Sequence, residues 1–175
     1  MMAGLEQQLL ALVSKHAARG ILVDTNVLLL HLCGQYMPSA LGQKRLAKYT
    51  LDDASLISQF LERFATIFTT QHVLAETSNL ARQIVSGKQL WALSERLYPL
   101  FCLETPDSFT RCNVDGTVVD INIFARLGLT DAGLASLVHN DTLLLTDDLD
   151  LYVAAVSMGG DAVNFSHMRE AAGTV

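Results

Sequence analysis

The chain has 175 residues, half of them apolar and 17% charged, enough for one domain with a substantial core and too apolar for a disordered chain. Its net charge of −6 argues against a broad basic groove that holds nucleic acid through phosphate contacts alone. Carboxylates that bind divalent cations would supply part of that charge, and the cations would reverse the local field. A mean hydropathy of +0.31 implies an unusually apolar core or an apolar surface covered by a partner, so self-association is expected. No apolar run reaches the roughly 18 residues a membrane span needs, because residues 21–33 are broken by Asp24, Thr25, Asn26 and His31. Residues 1–20 lack the basic-then-apolar order of a secretory signal. Cys33, Cys102 and Cys112 are odd in number and form no C-x-x-C pair. A cytoplasmic protein without zinc is expected.

Leu5, Leu9, Leu12 and Val13 recur at helical spacing and predict a helix over residues 5–19, stopped by Gly20. An apolar strand over 21–23 ends at Asp24, and residues 27–33 resume as helix. Residues 34–50, with Pro38, Gly42, Lys44, Arg45 and Lys48, read as a surface excursion. A helix over 51–64 precedes a β-branched and aromatic strand over 65–70. The next helix spans 71–86 and closes near Gly87, with helix again over 90–98. A third strand is predicted over 101–104, then helices over 109–127 and 131–139, the latter capped by Thr130. A buried strand over 142–145, a helix over 149–158 and a last strand over 162–165 complete the pattern. Strands separated by helices predict an α/β fold, a central parallel sheet covered on both faces in three α/β/α layers. One domain spans 1–175, with the first helix as an extension and 166–175 as a tail.

Two apolar strands empty into acids: Ile21-Leu22-Val23-Asp24-Thr25-Asn26 and Leu143-Leu144-Leu145-Thr146-Asp147-Asp148. In an open α/β sheet ligands bind outside the carboxyl ends of the strands, which would put Asp24 in the natural crevice. Asp before a helix is equally an N-cap or a first-turn acid favoured by the helix dipole. If both strands are central neighbours, their carboxylates converge, and close like charges need protons or cations to neutralise them. Asp131 stands in the first turn of the helix leading into the second of these strands. Glu76 lies in an otherwise apolar helical stretch, Val73-Leu74-Ala75-Glu76, where it also reads as a solvated helix residue.

In order, D-T-N-V-L-L after the first strand, V-L-A-E, L-G-L-T-D-A-G and L-L-T-D-D-L-D-L resemble the PIN-domain nucleases over nearly the whole chain. The resemblance implies a PIN-like domain in which Asp24, Glu76, Asp131 and Asp148 form an acidic quartet, with Asn26 and Thr146 as polar neighbours. Asp148 best fits the T-x-D pattern, and Asp147 remains its competitor. The implied cofactor is Mg²⁺ or Mn²⁺, since hard cations prefer carboxylate and water oxygens, and the implied reaction is hydrolysis of RNA by metal-activated water. The resemblance also implies the toxin of a bacterial toxin–antitoxin pair, a homodimer masked by an antitoxin or other regulatory protein.

The other candidate groups carry less chemistry. Lys44, Arg45, Lys48 and Arg82 are the basic residues considered for RNA contact, though a solvated basic turn is the commoner explanation for such a group. Lys88 shares that reading. The five histidines show no metal-ligand pairing, and no P-loop, Gly-x-Ser-x-Gly or Gly-x-Gly-x-x-Gly occurs. Two alternatives remain: a silent PIN-like module that binds RNA or protein, and a haloacid-dehalogenase-type phosphatase. The phosphatase chemistry wants a second aspartate where this chain has Asn26.

Overall fold

Ile21, Leu22 and Val23 are apolar and fully buried, as a strand flanked on both faces must be. They form β1 (Ile21–Val23), the centre of the sheet in the computed structural model, which describes residues 2–102, 109–114, 119–138 and 142–173. β2 (Ile67–Thr70) and β4 (Leu143–Thr146) pair with β1 on either side. β3 (Phe109–Cys112) and β5 (Asp161–Asn164) close the edges in the order β3-β2-β1-β4-β5. Every pairing is parallel, with Val23 opposite Leu145 and Leu145 opposite Val163. Helices connect the strands and cover the sheet as the three-layer α/β/α pattern requires. They are α1 (Met2–His16), α2 (Thr25–Tyr36), α3 (Leu51–Leu61), α4 (Gln71–Ile84), α5 (Gly87–Cys102), α6 (Ile121–Leu127), α7 (Leu129–Leu137), α8 (Leu149–Ser157) and α9 (Phe165–Ala172). Among the described residues no helix is long and apolar enough to cross a membrane.

Several expectations are corrected. Residues 101 and 102, expected to open the third strand, instead end α5, which continues through Pro99 to Cys102; the rest of that predicted strand lies outside the described residues. Leu93, Leu97 and Leu100 bury one face of α5, and this anchors the turn that proline would otherwise end. The edge strand instead occupies 109–112, where a helix was expected, and among the described residues of that stretch the helix is α6. An edge strand has only one neighbour, and Phe-Thr-Arg-Cys is nowhere fully buried, so it carries no continuous apolar run. Two short 3-10 turns, Pro38–Ala40 and Lys44–Leu46, replace the surface excursion, with Met37, Ala40, Leu46 and Tyr49 all in the core.

The expected tail is α9, started by the Asn164 cap and held by buried Phe165 and Met168; residues 174 and 175 lie outside the described segments. Gly128, not Thr130, precedes α7, and Thr130 lies half-buried within its first turn. α1 ends at His16, short of the predicted 19. His16 is wholly buried with Nε2 2.7 Å from Asp161 at the start of β5, which ties the N-terminal helix to the sheet. Gly20 makes the turn into β1 at φ +106°, where a Cβ would stand 2.7 Å from the Thr66 carbonyl.

α2 and α3 cross at Gly34. A Cβ there would sit 2.3 Å from the Cβ of Ala54. Alanine gains about 1 kcal/mol in helix propensity but overpacks a rigid contact at about 1–3 kcal/mol. Gly34→Ala is therefore expected to lower the unfolding free energy by about 1 kcal/mol in a urea titration; an unshifted midpoint would show that the helices tolerate separation.

Candidate active site

The sheet order reverses direction between β1 and β4, so the crevice beyond their carboxyl ends is a topological switch point. Asp24 and Thr146 lie side by side there, and the Asp24 amide donates to the Leu145 carbonyl at 3.2 Å. Asp24 caps α2, its Oδ1 accepting from the Val27 amide at 2.7 Å. Its Oδ2 accepts from Thr146 Oγ1 at 2.5 Å and from the Asp147 amide at 3.0 Å. The carboxyl is 3% exposed. Burial pushes its pKa up to about 6, outweighing the hydrogen bonds from Thr146, Val27 and Asp147 that favour the anion.

Thr146 is completely buried and joins two acids. While its hydroxyl donates to Asp24, its oxygen accepts from the Asp148 amide at 2.9 Å. Asp148 caps α8 through Oδ1, which accepts from Asp150 and Leu151 amides at 2.8 and 3.0 Å. Its Oδ2 has no hydrogen-bond partner among the described residues. The cap and the candidate-site readings of this residue are thus compatible, one oxygen for each.

Glu76 projects from α4, half-buried, and its Oε2 accepts from Thr25 Oγ1 at 3.2 Å. Asp131, in the first turn of α7, shares with Glu76 an open cleft of about 420 Å³, also lined by His72, Asn79 and residues 127–130. No hydrogen bond or ion pair reaches Asp131 among the described residues. Burial, then the charges of Asp24, Asp148 and Glu76, raise its pKa to about 7. A larger cavity, about 470 Å³ between α2, α3 and α5, contains none of these acids. The chemistry points to the shallower cleft.

Four carboxylates from four separate elements therefore lie within electrostatic reach of one another. Among the described residues, however, no three His, Cys, Asp or Glu side chains converge tightly enough to hold one ion between them. The donor set still suits a hard cation. Mg²⁺ keeps several waters and takes only one or two protein carboxylates, the remainder coming from water or a phosphate. Oxygens held by caps and by Thr146 and Thr25 are oriented in advance, as ligand oxygens need to be.

Asp147 differs from the quartet. Its side chain is 4% exposed, and Oδ2 accepts from both Lys48 Nζ and the Tyr49 hydroxyl. Its Oδ2 is thereby committed to those two residues and its Oδ1 accepts from Ser166 Oγ at 3.4 Å, while Asp148 keeps an unengaged oxygen. Asn26 is half-buried on the first turn of α2 without a hydrogen bond to the acids, whereas Thr25, not among the site residues expected from the sequence, provides one. Thr25 adjoins Asp24 and was within reach of local reasoning. Tyr49 was not, since it stands 98 residues from its partner. Among the basic candidates, Lys44 is bound to the carbonyls of Gln83 and Ile84 at 2.8 and 3.3 Å, which places it at the carboxyl end of α4. Arg45 and Arg82 are exposed, with Arg82 lining a groove between α4 and α5. Comparison with known protein families, with curated proteins and with solved structures returns no match.

Proposed function

We propose that the chain is a Mg²⁺- or Mn²⁺-dependent endoribonuclease of the PIN type. The observation that carries this reading is the gathering of Asp24, Glu76, Asp131 and Asp148 at the switch point, where burial and then the charges of the other acids hold the Asp131 carboxyl near 7. A carboxylate cluster of this kind repels a phosphodiester until a cation lies between them. Bound Mg²⁺ or Mn²⁺ would supply Lewis acidity and a water of lowered pKa. Thr146, Thr25 and the two helix caps hold oxygens of Asp24, Glu76 and Asp148 in position, so for these three acids part of the side-chain ordering is already done. In the hydrolysis one water adds to phosphorus, one P–O bond breaks, and a proton passes to the departing oxygen.

The role of toxin in a toxin–antitoxin pair belongs to the same proposal and rests on the resemblance of the four motifs. Exposed Ile121 and Phe124 on α6 and Leu149, Val153 and Val156 on α8 support a surface covered by a second copy or a regulatory protein. Incubation of the wild type with a panel of single-stranded RNAs is expected to give cleavage in Mn²⁺, none in EDTA, and recovery on adding excess Mn²⁺. RNA retention without cleavage would assign the binding-module alternative, and turnover of small phosphate esters alone would assign the phosphatase.

A further inference from the structure

We infer that Lys48 is the residue that receives a phosphate of the RNA beside the acids, mounted for that purpose on Asp147 and Tyr49. The inference rests on the nuclease reading and adds a binding residue to it.

The asymmetry of the ion pair carries the argument. Asp147 is 4% exposed, whereas the Lys48 side chain is 59% exposed. The carboxylate is a buried anchor, and the ammonium stands in solvent at its mouth. An ammonium has three donors, and the Asp147 contact occupies one of them. Burial and then Asp147 push the Tyr49 phenol well above its ordinary pKa, so it remains a donor to the same carboxylate oxygen. Tyr49 is fixed in turn by burial and by the ring of Phe165, 6.3 Å away. Lys48 Nζ lies 5.0 Å from the Tyr49 ring centre, and Ser166 Oγ is 3.4 Å from the other Asp147 oxygen.

The mount is next to the proposed chemistry. The Asp147 amide donates to Asp24 Oδ2 at 3.0 Å, so the residue that places the lysine also touches the central acid. A flexible lysine loses rotamer freedom when fixed, and here the fold has already removed part of it. In a chain of net charge −6, a cation held beside a carboxylate cluster has its strongest use in meeting an anionic substrate. Lys44 is occupied elsewhere, and among the described residues no ion pair anchors Arg45 or Arg82 to the acids.

A simpler role, counter-charge for buried Asp147, makes a different prediction, and steady-state cleavage of a labelled single-stranded RNA in Mn²⁺ separates the two. Lys48→Met is expected to raise KM about tenfold, with kcat within about threefold, since loss of one charge-assisted contact is about 1.5 kcal/mol or more. Lys48→Arg should recover most of the affinity. The slope of log KM against log salt should fall by about 0.7 in Lys48→Met. The double variant Lys48→Met with Asp147→Asn leaves no unpaired buried charge, so folding is protected, and its KM should stay raised. A double variant with wild-type KM, or an unmoved KM in Lys48→Met, would overturn the inference while the nuclease reading stands. A folded wild type that leaves RNA intact in Mn²⁺ would overturn the nuclease reading itself, and this inference with it.

Discussion

Asp24→Asn is expected to lower the rate of RNA cleavage in Mn²⁺ by about 10³-fold while the chain stays folded. The rate loss follows from the position of Asp24 at the centre of the acids: its charge is removed where a cation must be held, and its bond to Thr146 also orients Asp148. The fold survives because two effects of similar size oppose each other. An amide at this position presents N–H donors to at least one of three donors, Val27 N, Thr146 Oγ1 and Asp147 N. Thr146 can rotate its hydroxyl to accept instead, but a backbone amide has no such freedom, and the mismatch costs about 1–3 kcal/mol. Against it stands the relief of a buried anion whose pKa is already raised to about 6, an energy on the order of 2–3 kcal/mol at neutral pH. Single-turnover cleavage together with thermal unfolding of the same preparation checks both halves. Full activity in the purified variant would remove Asp24 from the mechanism.

Asp131→Asn should do something less usual: stabilise the metal-free protein, and by more as the pH rises. The folded pKa of Asp131, about 7, lies above the ordinary value of 3.8. Between those values the folded chain binds a proton that the unfolded chain has released, so stability falls with pH across this window and the penalty is complete above about pH 7. Asparagine has no such penalty. Asp131 is partly solvated, which reduces the effect to about 1–2 kcal/mol at pH 8, or about 2–4 °C in melting temperature for each kcal/mol.

Buried His31, with its pKa lowered to about 4, has the opposite sign. It stays neutral in the folded chain while the unfolded one protonates, so it favours folding as pH rises from about 4 to 6.5. Because His31 is present in both proteins, it cancels in the difference. Melting curves in EDTA at pH 5 and pH 8 should therefore show a gap that widens in favour of the variant, and Mn²⁺ at pH 8 should stabilise the wild type more than the variant. A gap independent of pH would mean that neither burial nor the neighbouring acids raise the Asp131 pKa. A residue that costs stability where it stands is what a functional cluster leads one to expect.

The local chemistry was legible wherever a few neighbouring residues decide the outcome. Apolar triplets and quartets announced β1 and β4, and the acids that follow them are helix caps whose geometry involves only the next three residues. Because both strands end in acids, any parallel pairing of the two had to bring Asp24 and the residues after Thr146 together.

What the chain could not announce involves partners far apart in sequence. β3 is a strand because β2 offers it a free edge, and its own four residues show no strand pattern. α9 is fixed by burial of Phe165 and Met168 and by the Arg169 pair with Asp53 at 2.7 Å, across 116 positions (169 minus 53). The separate fates of Asp147 and Asp148 were also decided in three dimensions. As adjacent carboxylates they look alike in the sequence, but Lys48 and Tyr49 arrive from the turn before α3 and take only one of them. Composition and spacing determined which oxygens were available at the strand ends. Tertiary packing decided which of them stay open, because burial and a distant cation are properties of the folded chain alone.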